Sequence, residues 1–294
     1  MHKTMTTINI IDPHLHLFDL TMGDYGWLKN SNPPHWPDKA LIAKNFDQSH
    51  LKLPLPLNLM GFVHIEAGFD NNCGERELSW LKNTVSIPHK AIGVIDLTLP
   101  PADFKSRLSE MRKLSNFAGV RHILDEDALS ILSHKNCHAN FTELAKFNSI
   151  FECQYPVGNL ESSQQMYELI SQHPDVTVVL NHAGFPPEHS GYDNWKIWAQ
   201  QLNRLATLKN IAIKCSGWEM INRQYQQDWQ HVVLSHCLQA FGDHRVMIGS
   251  NFPLTLFSTS YQAYWHSMVK LIEKIDTKLV KTLCYDNARQ WYKL

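Results

Sequence analysis

Eight short runs rich in β-branched and aliphatic residues alternate with stretches of helical spacing along the whole chain, and this alternation limits the fold more than any other feature. The first run begins at residue 8, and the others are expected at 59–67, 91–97, 117–124, 150–155, 176–182, 211–215 and 245–249. Helices are expected at 74–86, after Pro100-Pro101, around 140–147, at 162–172, on the segment carrying Trp195, Trp198 and Leu202, and around 226–240; two more, at 261–275 and 278–292, close the chain. Strands that alternate with helices imply a parallel sheet, and eight is the number that closes a (β/α)8 TIM barrel. With 294 residues, no internal repeat and no low-complexity linker, residues 1–294 read as one α/β domain.

Composition removes several kinds of partner. The 27 basic and 28 acidic residues nearly cancel and form no block of like charge, so neither nucleic acid nor an anionic membrane surface is implied. The six cysteines fall at irregular spacings with no C-x-x-C pair, which reads as reduced thiols in a cytoplasmic protein. Residues 1–7 contain no apolar core of signal-peptide length, and no segment offers about 18 uninterrupted apolar residues. The nearest approach, 51–62, is broken by Pro54, Pro56 and Asn58. Seventeen histidines and nine tryptophans suit a polar pocket for a small molecule, the expected partner; a homodimer is the expected assembly, as for many enzymes.

The chemistry-bearing residues collect where the strands end. Strand one finishes in Asp12-Pro13-His14-Leu15-His16, and a period of two places Asp12, His14 and His16 on one face, with the imidazoles at the carboxyl end. Such a pair is either a set of metal ligands or a pair in which one histidine is an ordinary core or rim residue. Later strand ends offer His64 and Glu66, Asp96, Arg121 and His122, Gln154 and Tyr155, Asn181 and His182, Lys214 and Ser216, and Ser250 and Asn251. Polar groups at nearly every end of otherwise apolar strands point to one site at the carboxyl face of the barrel. His14, His16 and His182 would form a set of imidazole ligands for a divalent ion, zinc first, leaving a position for water. The stretch 19–37, rich in Gly, Pro, Asn and aromatics including Tyr25, Trp27 and Trp36, is either a lid over that site or a surface excursion held by its own tryptophans. No G-x-S-x-G, H-E-x-x-H, Walker or G-x-G-x-x-G motif is present, and Cys153 and Cys215 read as small core residues.

Taken together, DPHLHLFDL, GVRHIL, VVLNHAGFP, IKCSGWEM, GSNFPL and the closing DNARQWYKL resemble the amidohydrolase superfamily from residue 12 to residue 294. Within it the resemblance is to the TIM-barrel group whose known members hydrolyse lactones: sugar lactones such as fuconolactone, 2-pyrone-4,6-dicarboxylate and sulfomuconolactone. The resemblance implies that His14, His16 and His182 occupy the family's histidine positions, and that Arg121 anchors an anionic or hydroxylated substrate. It also exposes a departure, because the family usually ends strand eight in an aspartate (GSDWP) that serves as metal ligand, base or both. Here the residue is Asn251, whose amide accepts no proton near neutral pH. Either Glu66 supplies the missing carboxylate, or a metal on three neutral histidines acidifies water while His64 or His122 carries off the proton, or the site works without metal or has lost hydrolysis. The implied reaction is opening of a small polar lactone, with Arg121, His122, Tyr155 and Lys214 orienting the ring and Trp27 covering it. The alternatives are a decarboxylase of the same superfamily and a non-catalytic barrel that binds a metabolite, which Asn251 favours.

Overall fold

The computed structural model describes residues 7–294, so the expectation about residues 1–7 falls, Thr7 apart, outside the described residues. Eight strands follow one another in one sheet: β1 (Ile8–Leu15), β2 (Leu57–Ile65), β3 (His89–Val94), β4 (Phe117–Ile123), β5 (Ile150–Gln154), β6 (Val178–Leu180), β7 (Ile211–Cys215) and β8 (Val246–Ile248). Every neighbouring pair is parallel. The segment just past β8 closes the ring on β1, where Leu15 bridges Phe252 and Asn251 N donates to His14 O at 2.8 Å. The result is a TIM barrel.

The helices wrap outside: α1 (Gly74–Thr84), α2 (Pro101–Met111), α3 (Ala128–Leu132), α4 (Cys137–Lys146), α5 (Leu160–Gln172), α6 (Asp193–Ala206), α7 (Trp218–Ile221), α8 (Gln227–Phe241), α9 (Tyr261–Ile275), α10 (Leu279–Lys281) and α11 (Asn287–Tyr292). Pro101 opens α2 at a position where its missing N–H is no loss, and the side chains of Asn159 and Ser260 cap α5 and α9. The short α3 and α7, and the π turn at Thr282–Asp286 that splits the last expected helix, have no apolar period long enough to announce them. Among the described residues no helix is long and apolar enough to cross a membrane.

Alternation sorts each strand into an inner and an outer face. Ile11, Val63, Ile65, Ile92, Ile150, Val179, Ala212 and Met247 form an inner apolar cluster, which α11 plugs from the amino ends of the strands with Ala288 and Tyr292. The outer residues pack against the helices in a second, larger core. One irregularity decides the site. Asp12 pairs with Phe62 but Leu15 pairs with His64, so three residues of β1 span two of β2 in a bulge. Because Val63 and Ile65 point inward, Asp12 and Leu15 share the outward parity of Phe62 and His64, while His14 and His16 turn inward. The expectation that Asp12 shares the histidine face is therefore corrected. Asp12 Oδ1 instead accepts from Ser250 N at 3.0 Å and His14 N at 3.2 Å, tying the bulge to the start of the loop after β8, and burial pushes its carboxyl up to about 6.

Between β1 and β2 lies the long irregular stretch, with 3-10 turns at Gly26–Leu28, Lys39–Leu41 and Gln48–Leu51. Phe18 and Phe46 exchange backbone hydrogen bonds at 2.9 Å, and the rings of Tyr25 and Trp27 pack on Phe18. Trp36 packs on Phe257, and Arg223 lies over both rings while it pairs with Asp38 at 2.8 Å. The stretch is a wall tied to the loops after β7 and β8, as a lid would be.

Candidate active site

His14 stands at the centre of the mouth. Its ring centroid lies 5.3 Å from that of His16 and 4.6 Å from that of His182, so His14 packs beside each of the other two histidines named from the sequence. Burial is the largest influence on all three, followed for His14 by the positive fields of His182 and Lys214, for His16 by those of Arg121 and His64, and for His182 by those of Arg121 and His16, and each is held neutral well below the usual histidine range. His16 is oriented by Ile65 O at 2.8 Å from Nδ1, and His182 by Ser216 Oγ at 3.1 Å from Nδ1. Both ring nitrogens of His14 are buried without a partner. Gly217, at φ 68°, lets the loop after β7 pass so close to His182 that a Cβ there would lie 2.3 Å from Nδ1.

Around this cluster the expected residues divide by face. Arg121 points inward from β4: Nε reaches Glu66 Oε1 at 2.7 Å, Nη2 the Glu66 carbonyl at 2.7 Å, and Nη1 Gln154 Oε1 at 2.8 Å. Glu66, one candidate for the missing base, is thus the counter-ion of Arg121 and holds it in place. Lys214 also points inward, but both oxygens of Glu152 take its ammonium at 2.8 Å, and Tyr292 and Asn181 bond the same carboxylate. Burial lowers Lys214 to about 8 against the pull of Glu152, and the pair is fully enclosed. Lys214 therefore belongs to the barrel interior rather than to a substrate contact.

Three expected residues lie on the outer face. His64 accepts from Leu17 N at Nδ1, 3.2 Å, and meets Glu77 of α1 through Nε2 at 3.0 Å. With both nitrogens used and its pKa lowered by burial to about 3, His64 fixes the chain after β1 and is not free to carry a proton. His122 accepts from Leu97 N at 3.2 Å and lies 3.7 Å from Asp96, in the loop after β3. Tyr155 is buried against α5, its hydroxyl 3.3 Å from Ser163 Oγ. Neither touches the mouth, because Arg121, Glu152 and Gln154 take the inward positions of their strands. Trp27 sits in the roof, its indole N–H donated to Ala67 O at 2.7 Å, and offers only its ring to anything beneath.

Asn251, at φ 57°, is in the site as expected, with Oδ1 3.3 Å from His16 Nε2. Its Nδ2 donates at 2.6 Å to Glu219 Oε1 of α7, a residue that the strand pattern did not single out. Glu219 is 1 % exposed, burial pushes it up to about 7, and its second oxygen has no partner. Glu152, the other carboxylate missed, lies mid-strand on β5, where only its inward parity would have marked it. The mouth is roofed over: His14, His16, His182 and Arg121 are each at most 6 % exposed.

A family model, described as amidohydrolase, matches residues 11–294. The chain belongs to the amidohydrolase family. Among relatives of this amidohydrolase, an uncharacterised protein y4mH of Sinorhizobium fredii is 29 % identical over 304 residues, covering 99 % of this chain and 100 % of the relative. An L-fucono-1,5-lactonase of Burkholderia multivorans is 24 % identical over 278 residues, covering 85 % and 84 %. A solved amidohydrolase from Burkholderia multivorans, with bound zinc, superposes with a TM-score of 0.78 at 20 % identity, covering 97 % of this chain and 99 % of that one. At that identity the likeness shows a shared fold. As for a metal in this hydrolase, three neutral imidazoles, one with both nitrogens unpartnered, fit a divalent ion in donor chemistry. Among the described residues, no three His, Cys, Asp or Glu side chains are drawn together at ligating positions.

Proposed function

We propose that this amidohydrolase opens the ring ester of a small polar lactone, a sugar lactone or a carboxylated one. The observation that carries the reading is His14, a neutral imidazole buried at the mouth with neither nitrogen engaged. An unpaired buried polar group costs about 1–3 kcal/mol, which a fold retains where a ligand will answer it. The 24 % identical lactonase supports the substrate class. In the proposed reaction a water held among His14, His16 and Asn251 adds its oxygen to the lactone carbonyl, the ring C–O bond breaks, and the ring oxygen leaves with a proton as the hydroxyl of a hydroxy acid. Arg121, fixed by Glu66 and Gln154, supplies the positive charge that orients a hydroxylated or carboxylated ring, and the roof of Trp27 and Trp36 excludes bulk water. Zinc, when bound, would be held by His14, His16 and His182 and would polarise the carbonyl and acidify the water. All six cysteines are unpaired, which supports a cytoplasmic setting.

The test is acid release from a panel of sugar and carboxylated lactones, with zinc, with manganese and after chelation. Turnover of at least one lactone is expected, falling by about 100-fold or more in His14→Ala. No acid from any lactone under any metal condition, or release of CO₂ from an unsaturated acid instead, would overturn the reading.

A further inference from the structure

Three groups meet across the loop after β8, and each has one way to make its hydrogen bond. Ile65 O lies 2.8 Å from His16 Nδ1 and can only accept, so the single proton of the neutral ring sits on Nδ1 and Nε2 is a bare lone pair. At the other end the Glu219 carboxylate, when ionised, can only accept, so the amide nitrogen of Asn251 is the atom that faces it at 2.6 Å. Asn251 is thereby turned with Oδ1 toward His16, 3.3 Å from Nε2. Two acceptors face each other in a buried place, and neither can satisfy the other.

We propose that Glu219 is a positioning residue: it takes the Asn251 amide N–H so that Asn251 Oδ1 receives an O–H of the attacking water, together with His16 Nε2 when no zinc occupies that nitrogen. The identity of that donor rests on the lactonase reading; the orientation of Asn251 does not. The other groups that face Glu219 are Arg223, whose guanidinium donates to the Glu219 carbonyl, and the phenols of Tyr225 and Tyr264. None of them bonds to Oε2, which is buried without a partner, so the carboxylate is held on the site side by Asn251 alone. Burial raises Glu219 to about 7. Above that pH the amide is locked with its oxygen inward; below it, a protonated Glu219 can donate to Oδ1, and the amide can turn its N–H groups onto His16.

Chelator-treated full-length protein tests this with a readout that needs no substrate. In protein labelled with ¹⁵N-histidine, with His16 assigned by its absence in His16→Gln, the Nε2 shift of the wild type is expected to move between pH 6 and pH 8. His16 stays neutral across that range, and in Glu219→Gln the movement is lost. On a lactone, kcat at pH 8 is expected to fall about tenfold or more in Glu219→Gln at similar KM, and the acid limb near pH 7 to vanish. The exchange Glu219→Gln with Asn251→Asp, which sets an acceptor-only group against His16, is expected to recover most of the lost kcat, and it stands in if the single variant folds poorly. The same Nε2 course with pH in wild type and Glu219→Gln would overturn the proposal whether or not any lactone is turned over. A rise in KM at unchanged kcat would place the donor on the substrate and overturn its assignment to water. The expected Nε2 behaviour without lactone turnover would count against the lactonase reading alone.

Discussion

The barrel encloses two groups of buried polar side chains that use similar residues in opposite ways. In the interior, Glu152 accepts from Lys214 at 2.8 Å through each oxygen and also from Asn181 and Tyr292, so both of its oxygens are answered. At the mouth, His14 has two unanswered nitrogens and Glu219 one unanswered oxygen. Burial is equally deep, so water cannot make up the difference from outside. A charge sealed with its partner braces the barrel, whereas the unanswered groups at the mouth are free to take a water or a ligand. The comparison predicts that damage to the interior is read in stability and damage to the mouth in turnover.

The largest stability loss should come from the interior. Lys214→Met leaves Glu152 enclosed without its cation and is expected to cost about 3–5 kcal/mol in urea-induced unfolding. Adding Glu152→Gln, which removes the stranded charge, should return part of that loss. A single-variant loss of about 1 kcal/mol or less would mean that the pair does not brace the barrel, and the contrast with the mouth would fail.

The same contrast separates what could be read in the sequence from what could not. The alternation of strands and helices announced the barrel, and the strand ends announced the mouth, because both depend on periods that survive in a linear string. His14 lies beside His16 and His182, and Asn251 beside His16, while Arg121 ends on Glu66 from the inward face of β4. What failed was parity. A polar residue at a strand end is as useful facing a helix as facing a substrate, and His64, His122 and Tyr155 proved to be of the first kind, bonded to α1, to the loop after β3 and to α5. One bulge at Pro13 was enough to send Asp12 to the other face from its neighbours. Glu219 lies on α7, a single turn too short to show a period, and its one signal was Gly217, the residue that lets the chain before α7 approach His182.

A smaller effect should come from Glu219, and its sign depends on pH. The folded carboxyl titrates near 7 against an ordinary value of 4.5, because burial penalises its charge. The folded protein therefore keeps a proton that the unfolded chain releases. Its contribution is intact below about pH 4.5 and is lost as pH rises through 7. Glu219→Gln carries no such charge, so it should gain stability relative to the wild type between pH 5 and pH 8, by up to about 3 kcal/mol. A constant difference across that range would show that the carboxylate is answered in solution, as Glu152 is in the interior.

The smallest stability effect should lie at the centre of the mouth. His14→Leu removes two unpartnered nitrogens and keeps a side chain of similar bulk among His16, His182 and Gly249. No hydrogen bond is lost, and the desolvation penalty of the imidazole disappears, so unfolding free energy should stay within about 1 kcal/mol of the wild type or rise. A loss as large as that of Lys214→Met would mean that His14 is bonded within the folded protein. The unanswered imidazole would then be a brace like Glu152, and the mouth would have no claim to be the place where a ligand completes the fold.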